Sequence, residues 1–372
     1  MTNWARKKGP AGEERTPAAS AEYSVARGRR PEFPGRVHIE QLDLSDVAGI
    51  RACHVAFVAA QRVDEPEEPL MGERIFGAWF TIGFDGEPRE VWLVPGREQG
   101  TVAGWYRLEL PDLENLDRAN LQITVHPDER GGGLGRALLR HAAGRAAAHG
   151  RTVLGGGARN GTAGEVFARQ VGAKPGLVDI ERLLEPGKLE DGRLATLREE
   201  AERHAAGYEL VTWTGSVPEE LIEQMVALYA ALGDAPRDPD VERGKWDAQR
   251  VRERVNGLRA HYGLRDYAVA ARHVATGEMA ALTEVSVEPP NPDWGFQRIT
   301  AVTAAHRGHR LGLLVKVAML EWLATAEPQV ERVVTWNAED NRHMIRVNEA
   351  LGYAVFGAPA TSWRLDVADL EA

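Results

Sequence analysis

The spacing of apolar and polar positions divides the chain into short strands and amphipathic helices, and the same order occurs twice. Arg36–Asp43 alternates weakly and predicts a strand. Ser45 then stands where an N-cap belongs and opens a helix to about Val63. Arg89–Val94 and Thr101–Leu110 predict strands around a Pro95–Gly96 turn, and Ala119–Val125 predicts a third. Arg136–His149 has apolar residues three and four apart, the period of a helix buried on one face. Val153–Leu154 begins another strand, and Ala163–Val171 is a short helix ended by Gly172. After Pro186–Gly187 the segment Asp191–Ala206 reads as a charged helix. The order then restarts with a strand at Tyr208–Trp213 and helices at Pro218–Leu232 and Trp246–Ala260. Strands follow at Tyr267–His273, Met279–Val287 and Phe296–Thr303, then a long helix at Leu311–Thr325, a strand at Arg332–Trp336 and a helix at Asn341–Leu351.

The repetition extends to individual residues. Val125-His-Pro-Asp-Glu-Arg130-Gly131-Gly132-Gly133-Leu134-Gly135 has a counterpart in Val302-Thr-Ala-Ala-His-Arg307-Gly308-His-Arg310-Leu311-Gly312, at an offset of 177. Arg130 to Asn160 and Arg307 to Asn337 both span 30 residues. Strand–turn–helix–strand used twice predicts two α/β domains of one kind. The expected division is an arm over 1–35, a first domain over 36–185, a connecting helix over 186–206 and a second domain over 207–372. The arm carries seven basic against four acidic side chains among Pro, Gly, Ala and Ser, which predicts a flexible segment.

Composition narrows the class. A net charge of −10 argues against a general nucleic-acid-binding surface. No apolar run is long enough for a membrane span, and no apolar stretch follows the basic N-terminal residues as in a secretory signal. The single cysteine, Cys53, excludes an internal disulfide and any multi-cysteine metal site, so the expectation is a cytoplasmic protein with no metal, monomeric or homodimeric.

Chemistry concentrates at Arg130–Gly135, where a strand meets a helix N-terminus. Such a turn presents backbone N–H groups that the helix cannot satisfy, a positive dipole end and glycines that permit close approach, which together make a phosphate cradle. The dinucleotide pattern G-x-G-x-x-G/A fails, because Arg136 or Leu138 falls at its last position. Gly187-Lys188 and Gly244-Lys245 are not followed by Ser or Thr, so no P-loop exists. R/Q-x-x-G-x-G/A is matched in full by Arg130-Gly-Gly-Gly133-Leu-Gly135.

On that motif, and on the tail Thr335-Trp336-Asn337-Ala-Glu-Asp-Asn341-x-x-Met344-x-x-Val-Asn348-x-x-Leu-Gly-Tyr353, the chain resembles the GNAT acetyltransferase superfamily over about 36–185 and 207–370. The tandem arrangement is similar to that of mycothiol synthase-like proteins. The resemblance implies two GNAT folds, each a mostly antiparallel mixed α/β sheet with a splayed central strand pair and flanking helices. It also implies acetyl-CoA as co-substrate, bound through Ile123, Thr124, Val125, Arg130, Gly131, Gly132, Gly133, Leu134, Gly135 and Arg136, and in the second copy through Val302, Arg307, Gly308 and Gly312. The second copy departs from the pattern at Arg310, where a glycine is expected. The implied reaction is direct acyl transfer to a small amine, with a backbone N–H near Val125 or Val302 polarising the thioester. Glu284 is the candidate base, and Asn348 (Phe167 or Ala168 in the first copy) holds the place of the usual tyrosine acid. Trp336, Asn337 and Asn341 are candidates for an acceptor cleft, with Asn341 also suited to capping a helix. The acidic loops Asp64–Pro69 and Asp234–Asp240 would border the acceptor. The first copy is expected to hold the cofactor and the second to carry catalysis. The missing tyrosine leaves a non-catalytic acyl-CoA sensor as the alternative.

Overall fold

The computed structural model describes residues 37–370, so the arm expected over 1–35 lies outside the described residues. The first half runs β1 (Glu40–Gln41), α1 (Val47–Asp64), α2 (Glu73–Thr81), β2 (Arg89–Pro95), β3 (Val102–Glu109), β4 (Arg118–Val125), α3 (Leu134–Ala148), β5 (Val153–Arg159), α4 (Ala163–Gln170) and β6 (Lys174–Leu184). After α5 (Arg193–Glu202) the second half runs β7 (Tyr208–Thr214), α6 (Ile222–Ala231) and α7 (Ala248–Arg250). A π-helical stretch, Val251–Asn256, leads from α7 into α8 (Gly257–Tyr262). Then follow β8 (Arg265–His273), β9 (Met279–Glu288), β10 (Asn291–Val302), α9 (Leu311–Ala326), β11 (Arg332–Ala338), α10 (Arg342–Leu351), β12 (Ala354–Val355) and β13 (Ala360–Asp366).

Local chemistry explains most of these elements. Asp46, not Ser45, caps α1, its carboxylate accepting from the amides of Ala48 and Gly49, while Ser45 bonds back to Asp43. Asn341 caps α10 by accepting from the Met344 amide. α3 buries Leu134, Leu138, Leu139, Ala142, Ala143 and Ala146 against the sheet, the stripe its spacing predicts. α9 is buried all round, because α5 lays Leu197 and Ala201 over its outer side. Full burial of a leucine such as Leu197 contributes about 2 kcal/mol.

All thirteen strands form one sheet, in the order β1-β2-β3-β4-β5-β13-β6-β11-β10-β9-β8-β7, with β12 beside β6. The two halves exchange their last strands. β13, from the C-terminal end, pairs along the whole of β5 from Arg159↔Ala360 to Val153↔Asp366. β6, from the first half, pairs with β11 from Val333↔Leu184 to Ala338↔Asp179. The exchanged strands pair with each other at the centre. Neither half therefore has a complete sheet of its own. The constant offset of 177 also slips here, since β5 and β11 are related by 179, which puts Asn337 inside its strand and Asn160 just beyond its own.

A chain ended after Ala358 would leave β5 and β6 each with a bare edge and expose the partner face of Trp363. It is expected to aggregate and to lose cooperative thermal unfolding in calorimetry; a monomer with an unaltered transition would show that β13 is dispensable.

Candidate active site

β4 and β5 are parallel but pair only at Arg118↔Val153, Ala119↔Leu154 and Asn120↔Gly155. Beyond these the strands part, each still held on its far side, β4 by β3 and β5 by β13. Gly155, Gly156 and Gly157 form the β5 edge of the gap, and a Cβ on Gly156 would sit 2.9 Å from the Leu121 carbonyl. On one face the gap opens to a narrow apolar channel of about 120 Å³ lined by Ile123, Leu139, Phe167 and Val171. On the other it opens to a cavity of about 490 Å³ lined by Asn120, Gln122 and several charged side chains. Leu121, Gln122 and the three glycines line both, so the two spaces flank the same gap and with it mark the passage an extended ligand would take.

At the far end of β4 the chain turns through Pro127–Glu129 into the glycine run. Gly131 (φ 84°) and Gly133 (φ 86°) are left-handed, and Gly133 is the N-cap of α3. A Cβ at either would meet nothing, so glycine is required there for its backbone conformation. Among the described residues no backbone carbonyl accepts from the amides of Gly131, Gly132 or Gly133. The amides of Leu134, Gly135 and Arg136, in the first turn, have no intrahelical acceptor either. These groups fit a pyrophosphate. Arg130 takes a different role from the one expected of it: its guanidinium grips Asp64 at 2.8 and 2.6 Å and also donates to the Val125 carbonyl, so it braces the turn against the end of α1. Arg136, on the first turn of α3, is the cation left for a ligand.

The second half repeats the turn with different side chains around it. Gly308 keeps a left-handed φ of 91°, and Arg310 is forced to φ 52° at the N-cap of α9. Arg307 pairs with Asp234 at 2.6 Å, as Arg130 does with Asp64, and Arg310 pairs with Glu200 of α5 at 2.7 Å. β10 and β11 part after Phe296↔Val334. At the strand positions of Gly155–Gly157, β11 carries Val334, Thr335 and Trp336, of which the first two are buried. Beside them Lys316 of α9 donates to Asn348 at 2.7 Å, and Asn348 donates to Asn337 at 2.6 Å. Lys316 and Asn348 are wholly buried, and the Lys316 Nζ lies 4.9 Å from the Tyr353 ring centre. Burial pushes the Lys316 amine down to about 7.

The expected catalytic pair sits elsewhere in this geometry. Glu284 points neither to a cleft nor to solvent. It is buried, with one carboxylate oxygen accepting from Arg259 at 2.7 Å and the other from Tyr229 at 3.2 Å, so both oxygens are already occupied. Asn348 is a link in the buried chain, out of reach of a leaving group, and Asn341 is occupied as a cap. Trp336 is the one member of the expected cleft that is exposed. Cys53 is buried, its thiol pushed up to about 12, and is inert.

A parallel strand pair splayed beside a glycine turn that caps a helix defines a class, the acyltransferases that lay an acyl-CoA into a broken sheet. Residues 56–172 match the acetyltransferase (GNAT) family. The chain is similar to a tandem GNAT protein from the clavulanic acid biosynthesis pathway, at 29% identity over 89% of this chain and 98% of that one, with a TM-score of 0.72. A GCN5-related N-acetyltransferase from Sphaerobacter thermophilus shares the fold at 15% identity, with 90% and 96% of the two chains covered and a TM-score of 0.61. No curated protein sequence matches this chain. The protein belongs to the GNAT superfamily as a tandem member with two GNAT-fold domains, and it is an acetyltransferase.

Gly133→Val forces a branched residue into the left-handed region at a strain of about 1–2 kcal/mol. It should raise the acetyl-CoA dissociation constant at least about tenfold by calorimetry, since it tilts the amides that face phosphate; unchanged affinity would place the cofactor elsewhere. Lys316 provides a second check. Unfolded, it keeps its proton up to about pH 10.5, whereas folded it loses it above about 7, so unfolding takes up a proton between these values. Stability should therefore rise by a few kcal/mol as pH increases through that window, and Lys316→Met should flatten the slope in urea titrations at neutral and alkaline pH.

Proposed function

We propose that this protein transfers an acetyl group from acetyl-CoA directly to a small primary amine, and that the first domain does so. The observation that carries the reading is the passage beside Gly155–Gly157, which has an apolar mouth on the α3 side and a polar mouth on the other. Acetyl-CoA supplies an activated thioester. The amides from Gly131 to Arg136 hold negative charge at the α3 N-terminus. The channel between Leu139 and Phe167 excludes water from an extended arm. The β4 amides beyond Asn120, freed from β5, are the donors for an acyl oxygen. Asp238 lines the polar cavity with no cation beside it among the described residues and favours entry of an alkylammonium, which gives up its proton to solvent in that cavity before it attacks. Phe167 stands where a tyrosine acid is usual, so the thiolate leaves unassisted, which a thiol pKa of about 8.5 permits. On this reading the division between domains falls between 185 and 207, and the second domain is a supporting partner. The lone buried thiol accords with the reducing cytoplasm as its compartment.

Incubation with acetyl-CoA and a panel of amines should release free thiol and yield an acetylated product of matching mass. Gly133→Val should abolish turnover, while Lys316→Met, in the closed second domain, should leave kcat/KM within about twofold. The reverse pattern would assign the chemistry to the second domain, and acetyl-CoA binding without thiol release would favour a sensor.

A further inference from the structure

The cavity on the polar side of the first passage is built by three parts of the chain. Arg118 comes from β4, Arg364 from the exchanged strand β13, and Asp238 and Asp240 from the second domain's loop after α6. Their charges do not cancel locally. Asp238 accepts from the Leu177 amide at 2.7 Å and the Ser362 hydroxyl at 2.8 Å, both neutral donors, and among the described residues no cation pairs with it. Its uncompensated charge is felt by the neighbouring Asp179, whose carboxyl is raised above the usual range by burial and then by Asp238. Elsewhere on the wall the balance is reversed. Asp240 takes both Arg118 at 2.7 Å and Arg364 at 3.2 Å. Arg364 shares Asp366 with Lys174, at 3.0 and 2.8 Å. Three cations thus meet two carboxylates there, and Arg118 is largely sequestered from water, where excess charge is weakly screened.

We infer that the acceptor is an amine that also carries an anionic oxygen group, a carboxylate or a phosphate, with its nitrogen toward Asp238 and its anion toward Arg118 and Arg364. A guanidinium fork matches either oxyanion, and a single carboxylate held by neutral donors matches an ammonium. This rests on the proposed transfer in the first domain and adds the chemical class of its substrate. It also gives the second domain a part in that reaction, because its loop supplies Asp238 and its last strand supplies Arg364 beside Arg118 of the first.

The test uses the full chain with saturating acetyl-CoA and follows thiol release. Glycine, β-alanine and γ-aminobutyrate are each compared with the alkylamine of the same chain length, and O-phosphoethanolamine is added to separate phosphate from carboxylate. At least one anionic amine should exceed its alkylamine at least about tenfold in kcat/KM, mostly through KM. Arg118→Gln combined with Arg364→Gln should collapse that ratio while the acetyl-CoA dissociation constant stays unchanged, and Asp238→Asn should weaken anionic and plain amines alike. Alkylamines matching or exceeding every anionic amine in the wild-type chain would overturn the inference and leave transfer to amines standing. A ratio that survives the double substitution would overturn the placement of the anion. Acetyl-CoA binding with no thiol released by any amine would instead remove the transfer reading, and this inference with it.

Discussion

Backbone pairing between β13 and β5 holds the rest of the site in place. A run of three glycines is a weak strand, with no side chains to pack and maximal entropy to lose. Here it keeps a straight edge because β13 bonds it from Val153 to Arg159. That support lets the other edge of β5 leave β4 after Asn120 without the strand collapsing into the gap. The same exchange ties the halves together, since β6 serves β11 as β13 serves β5. The passage, the sheet and the association of the two domains are therefore one structural fact, and a chain unable to make the exchange would lose all three.

The two copies keep one turn and one brace but line the strands beside them differently. The brace is conserved in form, with Arg130 on Asp64 and Arg307 on Asp234. What differs is the lining. Glycines give way to Val334, Thr335 and Trp336, and a lysine buried at the cost of its own charge is tied through Asn348 to Asn337. A buried amine without a carboxylate partner destabilises the fold near neutral pH, as its depressed pKa reports. Above it α5 covers α9 and neutralises Arg310 through Glu200.

How much of this was legible in the sequence follows from how local each feature is. The turn at Arg130–Gly135, the helices after it and the doubled order are written in adjacent residues, and they stand where the spacing puts them. Strand exchange is a pairing between segments nearly two hundred residues apart, and neither β6 nor β13 carries a local mark of its partner. Glu284 sits on the expected strand, but its fate is decided by Arg259 and Tyr229, which reach it from helices whose packing no periodicity reveals. Arg130 was legible as a motif residue, but its direction was not, because that depends on Asp64 at the end of a helix far back in the chain. Gly155–Gly157 has no glycine counterpart in the second copy, and in a repeat of one fold the glycines mark the half that stays open.

An open gap in one domain raises the question of why the other persists. If the second copy supplied only a β-strand, a short C-terminal extension to the first would suffice. Its loop reaches further than that, placing Asp238 against the Leu177 amide and Ser362, and Asp240 between Arg118 and Arg364. On the other side Glu65 and Glu68, from the loop after α1, close with Glu181 around Arg159. Burial and neighbouring carboxylates lift Glu68 to about 7, so this contact is a packed ionic knot. The loop from the second half thus reaches over the glycine-lined gap, and the cavity lies beneath it. The loop after α6 and the exchanged strand β13 together wall that cavity, so its lining belongs to the pair and not to either copy.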